Sequence, residues 1–397
     1  MRICLVSGEY PPMQGGVGDY TRELGRALVQ MGHAVDVITS RRVETLTVQE
    51  QTVKVVERDP RAHPVVERWN WGSWSRVSIT VRELQSDVLH IQYQTAAYGM
   101  HPAINLLPLR VRRQLQRPRT VVTFHDVRVP YLFPKAGPLR RWVNLWLARY
   151  SDAAIATNEE DYQVLTHWPL GRCVLRQIPI GSNIHPQLPA GYDRAVLRTK
   201  LSVGPDEALL CYFGFLNESK GGETLFRVLA ELVRRGQPVK LLMVGGQVGA
   251  SDPTNVAYLQ HVQALIAELG LSERVLWTGF TEPEQVSAHL TACDVCVLPY
   301  RDGASYRRTS LMAALAHGLP IVSTQPRVGV ASLRDGRNIV LVPPDDVLAT
   351  AAAVERLIAA PELRARLRDG ALELAQEFAW DGIASKTVQL YGELLGR

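Results

Sequence analysis

Four short stretches of the 397-residue chain combine residue types and spacings that suit an anionic ligand. The first is Gly15-Gly16-Val17-Gly18, placed just ahead of a helical pattern. Glycine lets the backbone approach a ligand closely, and the start of a helix offers unbonded N–H groups to an anion. The run is not the G-x-G-x-x-G dinucleotide fingerprint, and Asp36 lies inside the second strand rather than closing it, so nicotinamide chemistry is disfavoured. The second stretch, Gly214 to Gly222, sets Lys220 beside two glycines, with Gly214 and Asn217 at its entry. A lysine there places a point charge on phosphate oxygens while amides bind them. No Gly-Lys-Ser/Thr occurs, so this is not a Walker A loop. The third stretch runs from Tyr300 to Leu311 and leads into a helix of small residues; Ser305, Arg307, Arg308, Thr309 and Ser310 suit a diphosphate. The fourth is His125-Asp126 at a strand exit. Each has a plainer reading as well: a flexible turn, a solvated lysine, a surface arginine pair and a structural histidine.

The elements that must carry these stretches alternate strand and helix nearly throughout, which implies parallel sheets covered by helices. Ile3–Ser7 reads as a strand, Gly8–Gly16 as a loop, and Val17, Tyr20, Leu24, Ala27, Leu28 and Met31 as one face of a helix that stops at Gly32. Ala34–Thr39 is the next strand. The unit recurs as strand Leu209–Phe213, loop Gly214–Gly222, a helix with Leu225, Val228, Leu229 and Leu232 on one face, a stop at Gly236 and strand Lys240–Val244. Further strands are expected at Val88–Gln92, Val121–Phe124, Ala153–Thr157, Val275–Trp277, Val295–Leu298 and Ile321–Thr324. The fold class is therefore α/β, with two Rossmann-like halves and a break in the Pro-, Gly- and Asn-rich segment Asn183–Arg194. In open α/β sheets ligands bind outside the carboxyl ends of the strands, so the loops after strands are the places to look.

Bulk properties exclude several classes. Net charge is +5, with 46% hydrophobic and 21% charged residues, ordinary for a globular protein and too diffuse for nucleic acid. No uncharged apolar run of about 18 residues spans a membrane, and the apolar start is too short for a signal peptide. Five scattered cysteines do not form a disulfide framework, so a reducing, cytoplasmic compartment is expected. Cys293 and Cys296 have C-x-x-C spacing but read as core residues of one buried strand, with thiols on opposite faces and no metal role.

Taken together, the motifs resemble the family 4 glycosyltransferases of the GT-B fold, nearly end to end. Ser7–Asp19 resembles the family's Pro-Pro…Gly-Gly-x-Gly loop, Gly32-His33-Ala34-Val35 its Gly-His-x-Val, and Val122–Asp126 its Thr-x-His-Asp strand end. Phe213–Gly222 resembles the Gly-Arg-Leu…Lys-Gly loop, Ala313–Val322 the Glu-Ala-Met-Ala-x-Gly-x-Pro-Val segment, and Trp380 to Leu395 a last helix that crosses back to the N-terminal domain. The resemblance implies an acceptor-side domain over 1–186, a donor-binding domain over 187–378 and a crossing helix over 379–397. It implies a retaining transfer of a sugar from a nucleotide-diphosphate-type donor to a carbohydrate, lipid-linked or small-molecule acceptor, without a cofactor or metal. Gly16 is then expected near donor phosphate and acceptor, His125 on the donor sugar, Lys220 on the leaving diphosphate, and Gly15 and Gln94 on the acceptor side. The chain also departs from the pattern. Phe215 stands where the family has arginine, and the family's two glutamates, with seven residues between them, fall on Ser305 and Ala313. Arg307 and Arg308 are the expected replacements for the missing cation.

Two other classes share such an architecture, a nucleotide-sugar epimerase or hydrolase and a non-catalytic sugar-nucleotide binder. The tryptophans Trp69, Trp71 and Trp74 suit a sugar ring, a membrane surface or local packing. The basic stretch Arg110, Arg112, Arg113, Arg117 and Arg119 suits peripheral contact with the inner membrane face, or a solvated helix face. Arg140 to Leu147 reads as an amphipathic helix packed on the sheet.

Overall fold

A computed structural model describes residues 1–13, 15–44, 59–114, 117–127, 137–246 and 253–396, with side chains at 137–141 and 253–256 left aside. Leu115 of the basic stretch lies outside the described residues. The chain divides into two compact units, Met1–Gly181 with Trp380–Arg397, and Ser182–Ala379.

The first unit is built on seven strands: β1 (Arg2–Ser7), β2 (Ala34–Ser40), β3 (Arg61–Val66), β4 (Val88–Tyr93), β5 (Arg119–Phe124), β6 (Ala153–Ala156) and β7 (Val174–Gln177). They pair in the order β3-β2-β1-β4-β5-β6-β7, every pair parallel. Parallel sheets need both faces covered. Helix α1 (Gly16–Gln30) buries Val17, Tyr20, Leu24, Ala27 and Leu28, the apolar stripe expected from the sequence, and Gly32 follows it at a positive φ of 83°. Helices α2 (Ser73–Glu83), α3 (Ala103–Val111), α4 (Gly137–Tyr150) and α5 (Glu159–Thr166) complete the local crossovers.

The second unit repeats the plan. Helix α6 (Arg194–Lys200) precedes β8 (Ala208–Phe213), and α7 (Gly222–Arg234) leads to β9 (Val239–Val244). Helix α8 (Pro253–Glu268), β10 (Val275–Trp277), α9 (Pro283–Ala292) and β11 (Val295–Leu298) follow. Helix α10 (Thr309–Ala316), β12 (Ile321–Thr324), β13 (Val340–Val342), α11 (Val347–Ala359) and α12 (Pro361–Ala375) close the unit. The sheet runs β10-β9-β8-β11-β12-β13, again all parallel. Each sheet reverses its winding beside its first strand, at β1/β4 and at β8/β11, the switch points where α/β sheets bind ligands.

The last helix, α13 (Trp380–Leu395), belongs to the first unit. Trp380 lies against Tyr20 with ring centroids 5.2 Å apart, and the Tyr391 hydroxyl meets His90 Nδ1 at 2.6 Å. Burying two such rings contributes about 2–3 kcal/mol each, which ties this helix to the sheet.

The structure corrects one expectation and refines three. Cys293 is not on β11; it caps α9 two residues earlier, and both its thiol and that of Cys296 adjoin Cys211 of β8. All three thiols are buried, and among the described residues no group of three His, Cys, Asp or Glu is placed to hold a metal ion. The tryptophan cluster divides: Trp69 is core against Tyr98, Trp74 Nε1 donates to the Ala103 carbonyl at 2.8 Å, and Trp71 is 49% exposed. On α4, Leu145 and Leu147 are buried while Trp142 is 54% exposed, so this helix sends an aromatic ring outward. The basic stretch divides too. Arg117 forks onto Asp152 at 3.0–3.2 Å with Arg119 3.6 Å away, while Arg110, Arg112 and Arg113 are exposed.

Candidate functional site

In the first unit the cluster forms beyond β1, β4 and β5. Parallel pairing sets Ser7 beside Gln92 and Gln92 beside Thr123, so residues just past these positions emerge together. His125 is the first residue after β5. Its backbone N–H donates to the Tyr93 carbonyl at 3.0 Å, and its ring Nε2 lies 3.0 Å from Gln92 Oε1. The edge of the imidazole meets the Tyr20 ring at a centroid distance of 4.6 Å. Burial of the ring lowers its pKa to about 3, so His125 is neutral at any working pH.

The glycine-rich turn holds a partner that sequence reasoning missed. Gly16 opens α1, and the amides of Val17 and Gly18 donate to Glu9 Oε1 at 3.1 and 3.3 Å. A Cβ on Gly15 would fall 2.1 Å from that carboxylate, so a larger residue there would push the Glu9 side chain aside. The positive end of α1 is thus occupied by the chain's own anion. Burial raises the Glu9 pKa against these two hydrogen bonds, which lower it. Gln94 precedes a 3-10 turn over Thr95–Tyr98 and accepts the Ala97 amide through its backbone carbonyl at 3.1 Å.

In the second unit the cluster forms beyond β8 and β11. Gly214 ends β8 at a positive φ of 112°. Asn217 caps the following 3-10 turn, Glu218–Lys220: its Oδ1 accepts the Lys220 amide at 3.2 Å and the Ser219 hydroxyl at 2.9 Å. The amide of Asn217 therefore shapes the turn that aims Lys220. Gly221, at φ 72°, both ends that turn and starts α7; a Cβ there would sit 1.9 Å from the Pro299 carbonyl oxygen.

Lys220 Nζ ends 3.4 Å from where a Gly214 Cβ would be, and Ser310 lies on the same spot at 3.7 Å. Ser310 is in the first turn of α10, and its hydroxyl meets the buried Tyr300 hydroxyl at 2.7 Å. Arg308, at the N-cap, lies over the Tyr300 ring with its guanidinium 5.0 Å from the centroid; it pairs with Asp302 and reaches the Ser219 hydroxyl at 3.3 Å. Burial, and then the Arg308 charge, lowers the Lys220 pKa to about 8.

Gly214, Lys220, Arg308, Thr309 and Ser310 are thus brought together by one strand exit and one helix start. Ser305 makes the turn into the helix: its carbonyl accepts the Arg308 amide at 3.0 Å. Ala313 is fully buried on α10. Such an arrangement is built to receive anionic oxygens: a partly desolvated ammonium, a guanidinium and the first amides of a helix converge. The neutral imidazole and amide of the other unit are suited to hydroxyl groups.

Residues 14–185 match the family model described as Glycosyltransferase Family 4, and residues 207–360 match that described as Glycosyl transferases group 1. A D-inositol 3-phosphate glycosyltransferase of Streptomyces bingchenggensis is 26% identical over 249 residues, 62% of this chain and 53% of that protein. The matched stretch thus spans about half the length of such relatives. A protein of the same name from Corynebacterium efficiens is 25% identical over 419 residues, covering 99% of this chain and 95% of its own. Among solved structures, sucrose-phosphate synthase of Thermosynechococcus elongatus superposes with a TM-score of 0.77 at 24% identity, over 100% of this chain and 99% of that one. HepE of Anabaena, solved with UDP and glucose, superposes at 0.76 with 18% identity, over 99% of this chain and 100% of its own. The two parallel-sheet units have the GT-B fold of these structures, and the chain belongs to the family 4 glycosyltransferases.

Proposed function

We propose that the protein transfers a sugar, with retention of anomeric configuration, from a nucleoside-diphosphate sugar to a hydroxyl group of an acceptor. The observation that carries this reading is the convergence of Lys220, Arg308 and the first turn of α10 beside Gly214. When a glycosyl–phosphate bond breaks, its electron pair remains on the diphosphate. Fixed positive charge and preorganised amides at that oxygen stabilise the charge as it develops. Lys220 is the leaving-group cation and Arg308 its partner; Thr309 and Ser310 contribute amides and hydroxyls, and Asn217 holds the turn. No metal is assigned to the reaction. His125 is assigned to the donor sugar, Gly16 to the region of donor phosphate and acceptor, and Gly15 and Gln94 to the acceptor side.

The structural neighbour HepE, named with UDP and glucose, supports a nucleoside diphosphate as the leaving group. The relatives' name supports a polyhydroxylated or phosphorylated small molecule as one class of acceptor, beside carbohydrates and lipid-linked sugars. A cytoplasmic enzyme, in peripheral contact with the inner membrane face through Arg110, Arg112 and Arg113, fits these acceptors.

A thermal-shift screen of nucleoside diphosphates and their sugars identifies the donor, because a ligand selective for the native state raises stability by mass action. Turnover of that donor is then followed with and without acceptors. Acceptor-dependent consumption of donor supports the reading. Release of free sugar or epimerised donor without an acceptor supports an epimerase or hydrolase instead. Tight binding without turnover supports a non-catalytic binder, the reading favoured by Ser305 and Ala313 standing where carboxylates are usual.

A further inference from the structure

One row of polar side chains lies on the sheet face of the first unit beneath α1 and α13. Alternation along β4 puts His90 and Gln92 on the same face, with Thr123 of β5 and then His125 beside them. His90 is satisfied at both ring nitrogens, by the Tyr391 hydroxyl at 2.6 Å and the Thr123 hydroxyl at 2.7 Å. Gln92 is not. It has no exposed surface, and its Oε1 is used on His125 Nε2, yet its Nε2 has no hydrogen-bond partner.

The backbone that carries this amide is fixed. Gln92 is held in register by β1 on one side and β5 on the other, and its carbonyl accepts the Tyr98 hydroxyl at 2.9 Å. A buried donor left unpaired costs about 1–3 kcal/mol, and such groups in native structures call for an explanation. With the amide oxygen on Nε2, the ring proton of His125 sits on that nitrogen and the lone pair on Nδ1.

We propose that Gln92 is the positioning residue for His125, holding its ring as the Nε2–H tautomer. Its effect on turnover rests on the proposed transferase reading. The ionisable neighbours of the ring among the described residues are His90 on β4, Tyr20 on α1 and Asp126 next in the chain. The low pKa of the ring keeps it in the one neutral state that Gln92 selects.

The test uses the full chain with ring-15N-labelled histidine and two variants. Gln92→Met keeps the length but removes both hydrogen-bonding groups. Gln92→Glu keeps the acceptor and loses the donor. At pH 7.5 His125 of the wild type is expected as a single Nε2–H tautomer. In Gln92→Met it becomes a mixture, or turns to Nδ1–H. In Gln92→Glu the tautomer is kept, and the ring takes up a proton about one to three pH units higher, as a neighbouring carboxylate requires. Both variants lose about 10- to 100-fold in kcat, Gln92→Met through the altered tautomer and Gln92→Glu through the added charge, while UDP affinity measured by calorimetry is unchanged. A tautomer unmoved in Gln92→Met, or kcat within threefold of wild type in both variants, overturns the proposal. If Gln92→Met does not fold, Gln92→Glu carries the test. A wild type that transfers no sugar defeats the functional reading and with it the expected loss of kcat, while the tautomer still decides whether Gln92 governs His125.

Discussion

Lys220 links the fold to the chemistry through a measurable proton. In the free protein its pKa is lowered to about 8, first by burial and then by Arg308. A diphosphate that binds only the ammonium form pulls the pKa back up. Just under half a proton is then taken up per ligand at pH 8, and little at pH 6.5 where the ammonium is already formed. With half-titration at about pH 8, roughly nine-tenths of the lysine is charged at pH 7 and one-tenth at pH 9, so affinity falls about tenfold across that interval. UDP calorimetry in buffers of different ionisation enthalpy measures both quantities. In Lys220→Met the proton uptake vanishes and the affinity becomes independent of pH between 7 and 9. The enzyme also loses about 100- to 1000-fold in kcat, the usual cost of one preorganised electrostatic contact.

The same residue predicts a stability effect of opposite sign. Because the folded-state pKa lies below the unfolded value of 10.5, the unfolded chain holds its proton longer. Wild-type stability therefore rises with pH between about 8 and 10.5, and the burial penalty is fully present below pH 8. After allowance for solvent screening this penalty is about 1–2 kcal/mol, so Lys220→Met should be more stable than wild type at pH 7 while nearly inactive. An inactive variant that still takes up a proton at pH 8, or a wild type whose UDP affinity is flat from pH 7 to 9, refutes the placement of Lys220 on the diphosphate.

Other perturbations follow from the same geometry. Arg308→Ala should weaken UDP binding about tenfold and move the proton-uptake midpoint above pH 8, because the charge that depresses Lys220 is gone, whereas Asp302→Asn should release Arg308 and tighten binding; unchanged affinity in Arg308→Ala would sink its role as the substitute cation. Gly221→Ala meets the Pro299 carbonyl at a positive φ and should lose about 2–4 kcal/mol, read as a fall in Tm of several degrees; a normal Tm would contradict the packing of this turn. If Arg110, Arg112 and Arg113 dock on lipid, binding to vesicles containing anionic lipid should fall steeply with salt and by about 1 kcal/mol per Arg→Glu change; binding that is absent or salt-insensitive counts against membrane contact.

The strands that the sequence revealed and those it hid differ in where they lie. Nine of the ten expected strands coincide with interior strands of the two sheets, where both faces are covered and the residues form apolar runs. The strands not anticipated, β3, β7 and β13, are all at sheet edges. β3 reads Arg-Ala-His-Pro-Val-Val, with a proline that only an edge tolerates, and β7 ends in exposed Arg176 and Gln177. For β3 and β7 the pairing is set by the neighbouring strand rather than by an apolar run of their own, whereas β13 (Val-Leu-Val) is apolar but only three residues long. The helix stops at Gly32 and Gly236 were legible because a positive φ there favours glycine, although Gln85 and Ser202 adopt it after two other helices.

The site was legible in its charges and hidden in its neutral groups. Lys220 and Arg308 announce themselves by type, and the structure places them on one spot near Gly214. Glu9 and Gln92 gave no such signal, because what matters is what each one meets. Glu9 reaches across a loop to the amides of α1, turning an apparently open anion seat into an occupied one. Gln92 is one polar residue in a buried strand, and only the register of β4 against β5 reveals its partner. The replacement of carboxylates at Ser305 and Ala313 also acquires a physical sense. Asp302, three residues before Ser305, supplies a carboxylate, but Arg308 holds it, so the negative charge that remains near the cradle is spent on orienting a cation. The cradle is therefore more strongly cationic toward its ligand once a diphosphate competes for Arg308. Under the proposed transferase reading, this exchange of residues favours a donor gripped mainly by its phosphates.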